Sequence, residues 1–380
     1  MDSQTQDDIA QTLRSWAINS ALPLWATAGR DRTNGGFYER LHLDGHADAD
    51  APRRLTVQAR QIYVYAHATA LGWFDGKAMA LEALDAMQKR YASPDGQPGY
   101  VFLIGADGTV QDSRRDTYAH AFILLALGWL ARITNDAQIV KLIDANLAFF
   151  DEHLTAPDGT FYEGIPRALP RRQNPHMHAF EAMLGLHETI SYPDALRRAA
   201  LLRGFLNEHF IIEDNGALGE FFTDTWDLRS RKDPVEPGHH AEWAWLLRRH
   251  EALAGLEPGP APDRFISFAS RYRNERTGLL YDEVRLDGAE HPKKHRCWPQ
   301  TEYAKALTVA EEGGGSRRET TAALERLYRH YLAPEGRFVP GGWIDQFDAD
   351  GNALTDVMPA STFYHVFVAI AEACRVRKIA

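Results

Sequence analysis

The stretch GQPGYVFLIGADGTVQDSRRDTYAHAFILLALGWLARI, residues 96–133, contains one complete unit of the chain. A glycine-bearing turn leads into an aromatic residue and an extended segment with a second turn at Asp107-Gly108. A polar run follows, and then a helical pattern that is apolar on nearly every face. A helix of that kind belongs in a protein interior. The turn recurs at NGGFYERLHLDG (34–45), PDGTFYEG (157–164), NGALGEFFTDTW (215–226), NERTGLLYDEVRLDG (274–288) and APEGRFVPGGWIDQFDADG (333–351). With Phe37, Tyr100, Phe161, Phe221, Leu279 and Phe338 as markers, the intervals are 63, 61, 60, 58 and 59 residues. A period of this kind signals a repeat architecture, and six such units use nearly the whole chain.

Alternation around the Asp-Gly dipeptides predicts short β-hairpins or extended loops at these turns. Each interval also holds two helical patterns. Leu55 to Trp73 precedes Gly76 to Tyr91, whose apolar positions are Ala80, Leu81, Leu84 and Met87. The patterns over Ala137 to His153 and Pro193 to Phe210 likewise follow more apolar helices. Ile9, Leu13, Trp16 and Leu22 predict an amphipathic helix near the N-terminus. Twelve helices in six pairs predict an all-α protein, a closed (α/α)6 barrel with the more apolar helices inside and the hairpins or loops gathered at one face. An open solenoid would want polar capping repeats, and the end units show no such contrast. The connection EPGPAPD (257–263) is too short to divide the chain, so residues 1–380 are expected to form a single domain.

Composition narrows the function by exclusion. The chain has 52 carboxylates against 42 Lys and Arg, a net charge of −10. That balance argues against a nucleic-acid or anionic-membrane partner. The longest apolar run, Ala121 to Leu130, falls short of the 18 or so residues a membrane span needs. The N-terminus carries acids and glutamines where a signal peptide would be basic and apolar. Two cysteines, Cys297 and Cys374, make no disulfide framework and no Cys/His metal spacing. A cytoplasmic location is the expectation. The chain has 16 histidines, and their placement becomes the question.

Many of the polar residues sit at the starts of the predicted inner helices. The six starts offer Arg54, Gln58 and Arg60; Tyr118 and His120; Asn174, His176 and His178; His239, His240 and Glu242; Trp298, Gln300 and Glu302; and Tyr364 and His365. A lone histidine there is ordinarily a cap partner or a satisfied core group. Recurrence in every unit predicts a shared pocket instead. Aromatic faces beside directional hydrogen-bonding groups suit a monosaccharide, and histidines add proton transfer near neutral pH. Three chemistries fit. Glycoside hydrolysis would draw on Glu163, Asp224, Glu242 or Glu302 as its carboxylate pair. Metal chemistry could use His239-x-x-Glu242 or His176-x-His178, although the HExxH pattern is absent. Proton transfer next to a sugar carbonyl would use a histidine pair.

The motifs LTVQAR (55–60), DTYAHAF (116–122), NPHMHAFEA (174–182), PGHHAEWAWLL (237–247), WPQTE (298–302) and FYH (363–365), in this order, resemble the N-acylglucosamine 2-epimerase superfamily of (α/α)6-barrel sugar isomerases and epimerases. The resemblance covers essentially the whole chain. It implies chemistry without a cofactor or a required metal, on a monosaccharide, in a monomer or homodimer. By position it implies that His365 moves a proton between C1 and C2, and that His239 is the second acid/base group. Glu242 would orient and polarise that second imidazole one helical turn away. Arg60 would steady the enediolate oxygen. Tyr118, Asn174, His178, Trp298 and Gln300 match substrate-contact positions, and Glu302 joins them from the pocket composition. Ala59 stands in QAR where the acylglucosamine epimerases read QGR. That points toward the mannose isomerase and sulfoquinovose isomerase branch, with a 2-epimerase as the alternative and a glycoside hydrolase behind it. Arg114, Arg115, Arg171 and Arg172 near the mouth are either a sign of an anionic substituent or solvated loop charge.

Overall fold

The pattern of apolar faces decides which helices go inside. Along Thr117–Thr134 the side chains from Thr117 to Ala131 are buried except Tyr118, whereas Lys77–Tyr91 buries one stripe through Met79, Ala80, Ala83, Leu84 and Met87. The computed structural model describes residues 8–212, 216–333 and 336–379. The head of the expected N-terminal helix (1–7) and parts of the fourth and sixth turns (213–215, 334–335) lie outside the described residues, as does residue 380. Within them, α1 (Asp8–Trp16) and α2 (Leu22–Thr27) are joined by a wide π turn. Then inner and outer helices alternate. The inner ring is α3 (Leu55–Ala70), α5 (Thr117–Thr134), α7 (Asn174–Ile190), α9 (Pro237–Ala254), α11 (Cys297–Glu312) and α13 (Ala360–Arg377). The outer helices are α4 (Lys77–Tyr91), α6 (Ala137–Phe149), α8 (Ala195–Phe205), α10 (Ala261–Arg271) and α12 (Arg317–Leu327), with α1 packed on α13.

Each inner helix packs on the next, and α13 packs back on α3, so the ring is closed. This is the expected (α/α)6 barrel. Leu13 and Leu22 of the N-terminal segment are buried, with Ile9 and Trp16 packed at the edge of the same core. By length and composition α5 could cross a membrane, with a mean hydropathy of 1.2, but 78% of that window is buried inside the barrel.

The short strands do more than turn the chain. A local hairpin forms at 103–112, but the other ladders join neighbouring units. Arg53–Arg54 pairs with Leu103–Ile104, Arg115–Asp116 with Gly164–Ile165, and Arg171–Arg172 with Phe221–Phe222. Pro234–Val235 pairs with Val284–Arg285, His295–Arg296 with Gln346–Phe347, and Arg40–His42 with Val357–Pro359, which ties the first unit to the last.

A second device aligns five of the six turns with their helices. The side chain four residues beyond the helix-leading residue reaches the backbone N–H of the turn. Gln58 takes the N–H of Phe37 (2.9 Å), His120 that of Tyr100 (3.2 Å) and His176 that of Phe161 (2.8 Å). His240 takes the N–H of Leu218 (2.9 Å) and Gln300 that of Leu280 (2.8 Å). These bonds define the equivalent positions in five units and correct two markers read from sequence: Leu218 and Leu280 replace Phe221 and Leu279. In the sixth unit the residue at the latch position is Phe363, and the Trp343 N–H instead faces Met358 Sδ at 3.4 Å. Glycine spacing locates a turn, but the N–H that is latched is visible only in three dimensions.

The three latch histidines share one electronic state. Nδ1 lies 2.8 Å from the Asp116 carbonyl in His120, 3.2 Å from Arg172 in His176 and 2.8 Å from Glu236 in His240. A carbonyl only accepts and an amide only donates, so Nδ1 carries the hydrogen and Nε2 the lone pair. Burial pushes their pKa values down to about 4, 3 and 4, respectively, keeping all three neutral.

Candidate active site

The helix starts converge as the repeat predicts. Arg60, Tyr118, Asn174, His178, His239, Glu242, Trp298 and His365 line one cavity of about 230 Å³, with Glu236, Arg296, Ser361 and Thr362 completing it. That is the volume of roughly eight waters at ~30 Å³ each, enough for one sugar ring. Trp298 lies between the two imidazoles, with ring centres 5.1 Å from His239 and 5.7 Å from His365. Gly238 permits this, because a Cβ there would lie 2.6 Å from the indole.

Arg60 is buried among rings, its guanidinium 4.2 Å from the centre of Phe122 and 4.9 Å from that of Tyr364. It donates to the Tyr118 hydroxyl and to the Ser361 carbonyl. His178 lies edge-on to Tyr118, and its Nδ1 meets Glu181 Oε2 at 2.9 Å. Burial outweighs that carboxylate and takes the pKa of His178 down to about 4.

The two outer histidines face opposite electrostatics. His365 places Nδ1 2.7 Å from Glu302 Oε1, but the other Glu302 oxygen is paired with Lys305 at 2.6 Å, both side chains being fully buried. Glu302 therefore orients the ring while Lys305 balances its charge. Burial, Arg60 and Lys305 push His365 well below its ordinary value, so it is a neutral base with Nε2 free. Burial also opposes charge on His239, but Glu220 and Glu236 outweigh it and raise the pKa to about 10. Both Glu220 oxygens lie 3.0 Å from His239 Nδ1. Asn174 meets His239 Nε2 at 3.2 Å through its amide nitrogen, and its Oδ1 has no partner. Rotating that amide by 180° gives a protonated Nε2 its acceptor, and the heavy-atom positions serve either assignment.

Three expectations are corrected by this geometry. Glu242 does not orient His239: neither of its oxygens has a hydrogen-bond partner, and Oε1 lies 4.0 Å from His178 Nε2. Burial and the nearby Glu302 raise Glu242 well above the carboxylate range, so it is a neutral acid in the cavity wall. Gln300 is no substrate contact, because it is spent on the backbone of Leu280 and Arg296. Glu302 stands behind His365, outside the cavity lining.

Other candidates disperse. His176 is a latch, which splits the His176-x-His178 pair. Glu163 binds Arg172, and Asp224 borders a separate surface cavity. The arginines at the mouth are all engaged: Arg114 with Asp112 and Asp116, Arg115 with Asp95, Arg171 with Asp158 and Arg172 with Glu163. His178 with Glu181 and Glu242, His239 with Glu220 and Glu236, and His365 with Glu242 and Glu302 each bring their donor atoms within 4.8 Å. In each set the imidazole Nδ1 meets a carboxylate, which fixes the orientation of the ring.

The N-acylglucosamine 2-epimerase (GlcNAc 2-epimerase) family model matches residues 36–369, a range that includes every cavity residue just described. The chain belongs to the N-acylglucosamine 2-epimerase family. A mannose-6-phosphate isomerase of Rhizobium meliloti is 34% identical, with 96% of each chain covered. A cellobiose 2-epimerase of Bacteroides fragilis is 26% identical over 92% of this chain and 93% of its own. A crystal structure of a D-mannose isomerase superposes with a TM-score of 0.87 at 20% identity, over 97% of this chain and 98% of the other. Membership makes the protein an enzyme of the isomerase and epimerase type.

Several residues of this family site escaped the sequence reading. Glu220, Glu236 and Glu181 hold or charge a cavity histidine, and Lys305 balances the Glu302 carboxylate that orients His365. Lys305 left a signal, a lysine inside a run of otherwise apolar helix, three residues after an acid. Glu220 had none within its own unit, since it occupies the place of Glu39 and Glu163.

Proposed function

We propose that the protein is a cofactor-independent aldose–ketose isomerase acting on a mannose-type monosaccharide through a cis-enediol. One observation carries this reading: two imidazoles, one backed by Glu220 alone and the other by a Glu302 paired with Lys305, flank Trp298 over a cavity sized for one sugar. His365 Nε2 takes the C2 proton of the open-chain aldose. The C2 electron pair forms the C1–C2 double bond, and the carbonyl oxygen O1 gains a proton from His239. Arg60 steadies charge on the enediol oxygens. Return of the proton from His365 to C1, with loss of the O2 proton to His239, gives the ketose and restores both histidines. Glu242, a neutral acid facing the cavity, supports opening of the ring. Return of the proton to C2 from the other face would give the epimer instead.

The engaged arginines at the mouth favour an uncharged sugar over a phosphorylated one, and two free buried cysteines accord with a cytoplasmic enzyme. Mannose, mannose 6-phosphate, N-acetylglucosamine and cellobiose incubated separately in D2O and followed by NMR test the reading. Fructose from mannose, with deuterium at C1, is the expected result. Full turnover by both His239→Ala and His365→Ala would sink the mechanism. Epimer without ketose would move the chain to 2-epimerisation at the same site.

A further inference from the structure

Three units share an ion pair between the turn and the residue leading the inner helix. Glu39 accepts from the backbone N–H of Arg54 at 3.0 Å and binds its guanidinium. Glu163 does the same with Arg172, at 2.6 Å from the N–H. Asp282 accepts from the N–H of Arg296 and lies 3.8 Å from its guanidinium. The fourth unit keeps the acid, Glu220, and its bond to the leading N–H at 3.3 Å, but the leading residue is Glu236. Without an arginine to bind, Glu220 turns to His239. It is held there by Gln173 Nε2 at 3.0 Å, and Gln173 in turn accepts from the Trp243 indole at 2.7 Å.

We propose that Glu220 is a positioning residue for the sugar reaction, released by the acidic residue at 236 to fix the His239 ring with Nδ1–H toward itself and Nε2–H toward the substrate. The repeat thus converts a structural ion pair into a catalytic support by one change of charge. Glu302, paired with Lys305, orients His365 without charging it; Glu220 has no such cation among the described residues, so it both orients and charges His239. The groups facing His239 are Glu220 from the turn, Glu236 ahead of α9, Glu242 one turn on, His178 from α7 and Arg296 across the cavity. This inference rests on the isomerase reading for its consequence, but its first test needs no sugar.

NMR of the full-length protein labelled with 15N-histidine, with His239→Asn assigning the signals, reads the ring directly. The expected result at pH 8 is a His239 protonated on both nitrogens in the wild type and on one in Glu220→Gln. Glu236→Arg restores the ion pair of the other units and should draw Glu220 away, giving the singly protonated ring although Glu220 and His239 are both intact. On the sugar that is turned over, kcat should fall at least tenfold in Glu236→Arg, with its alkaline limb moved to lower pH. Glu163→Gln, the same change in the third unit, should leave the His239 signals as in the wild type. A wild-type His239 that titrates near pH 6.5, or unchanged His239 signals in Glu236→Arg, overturns the proposal. Should Glu220→Gln fail to fold by circular dichroism, Glu236→Arg decides alone. If no sugar is turned over, the functional reading fails while the NMR result still decides this one.

Discussion

Lys305 and Glu302 are ions placed where neither could stand alone. Removing one partner of a buried pair costs about 3–5 kcal/mol because the other is left uncompensated. Lys305→Met should therefore lower urea-unfolding stability by about that amount and also reduce kcat, since an uncompensated Glu302 would raise the His365 pKa and charge the ring, as Glu220 does for His239, rather than orient a neutral base. Retained kcat at reduced stability would confine Lys305 to a structural role. The two outer histidines also set the pH behaviour. With His365 held well below its ordinary value and His239 raised to about 10, kcat should be level through neutral pH and fall only as pH approaches 10. Stability follows the same sign for His239: its contribution is complete below about 6.5, the unfolded value, and is lost as pH rises through about 10. A pH series of kcat with parallel urea melts checks both. Gly238→Ala forces the Trp298 indole aside and should raise KM about tenfold, equivalent to ~1.4 kcal/mol of binding.

At the level of elements, the latch explains why so many histidines are not catalytic. The repeat uses Gln at positions 58 and 300 and His at 120, 176 and 240 for the same bond to a turn N–H. Gln does not titrate, whereas the buried histidines are held neutral, so unfolding takes up protons below about pH 6.5. Stability is present above that value and is lost as pH falls toward 4. Replacing His120, His176 and His240 with Gln should keep the fold and move the acid-unfolding midpoint down, measured by circular dichroism between pH 3 and 7; an unmoved midpoint would remove the latch histidines as its cause. The same latch shows what a reader of the sequence sees and misses. Glycine turns and apolar runs betray the six units, because local chemistry repeats with the chain. The acceptor of a turn N–H lies 15 to 22 residues away, so the markers slipped in the fourth and fifth units. His239, His365, Arg60, Tyr118, Asn174, His178 and Trp298 were legible as cavity residues by their place at helix starts. Their partners were not, since Glu220 differs from Glu39 only through the charge of the residue it meets 16 positions later.

Across the whole molecule, stability depends on closing the seam between the first and last units. Trp25 is fully buried there, stacked on Trp343 at 5.5 Å and near Phe363 at 6.2 Å. Trp25→Ala should cost about 3–5 kcal/mol in urea unfolding and broaden the transition as the seam opens before the rest; a sharp, parallel shift would show that the ring unfolds as one. Because α1 lies against α13 and Arg40–His42 pairs with Val357–Pro359, no unit is terminal in space. The covalent break could stand elsewhere. A circular permutant opened in the exposed connection between Leu256 and Pro260, with its former ends joined, would carry His239 near its C-terminal end and His365 in its N-terminal half. The cavity needs angular position around the axis and not order along the polypeptide, so such a permuted ring should still present the same pair of imidazoles to the sugar.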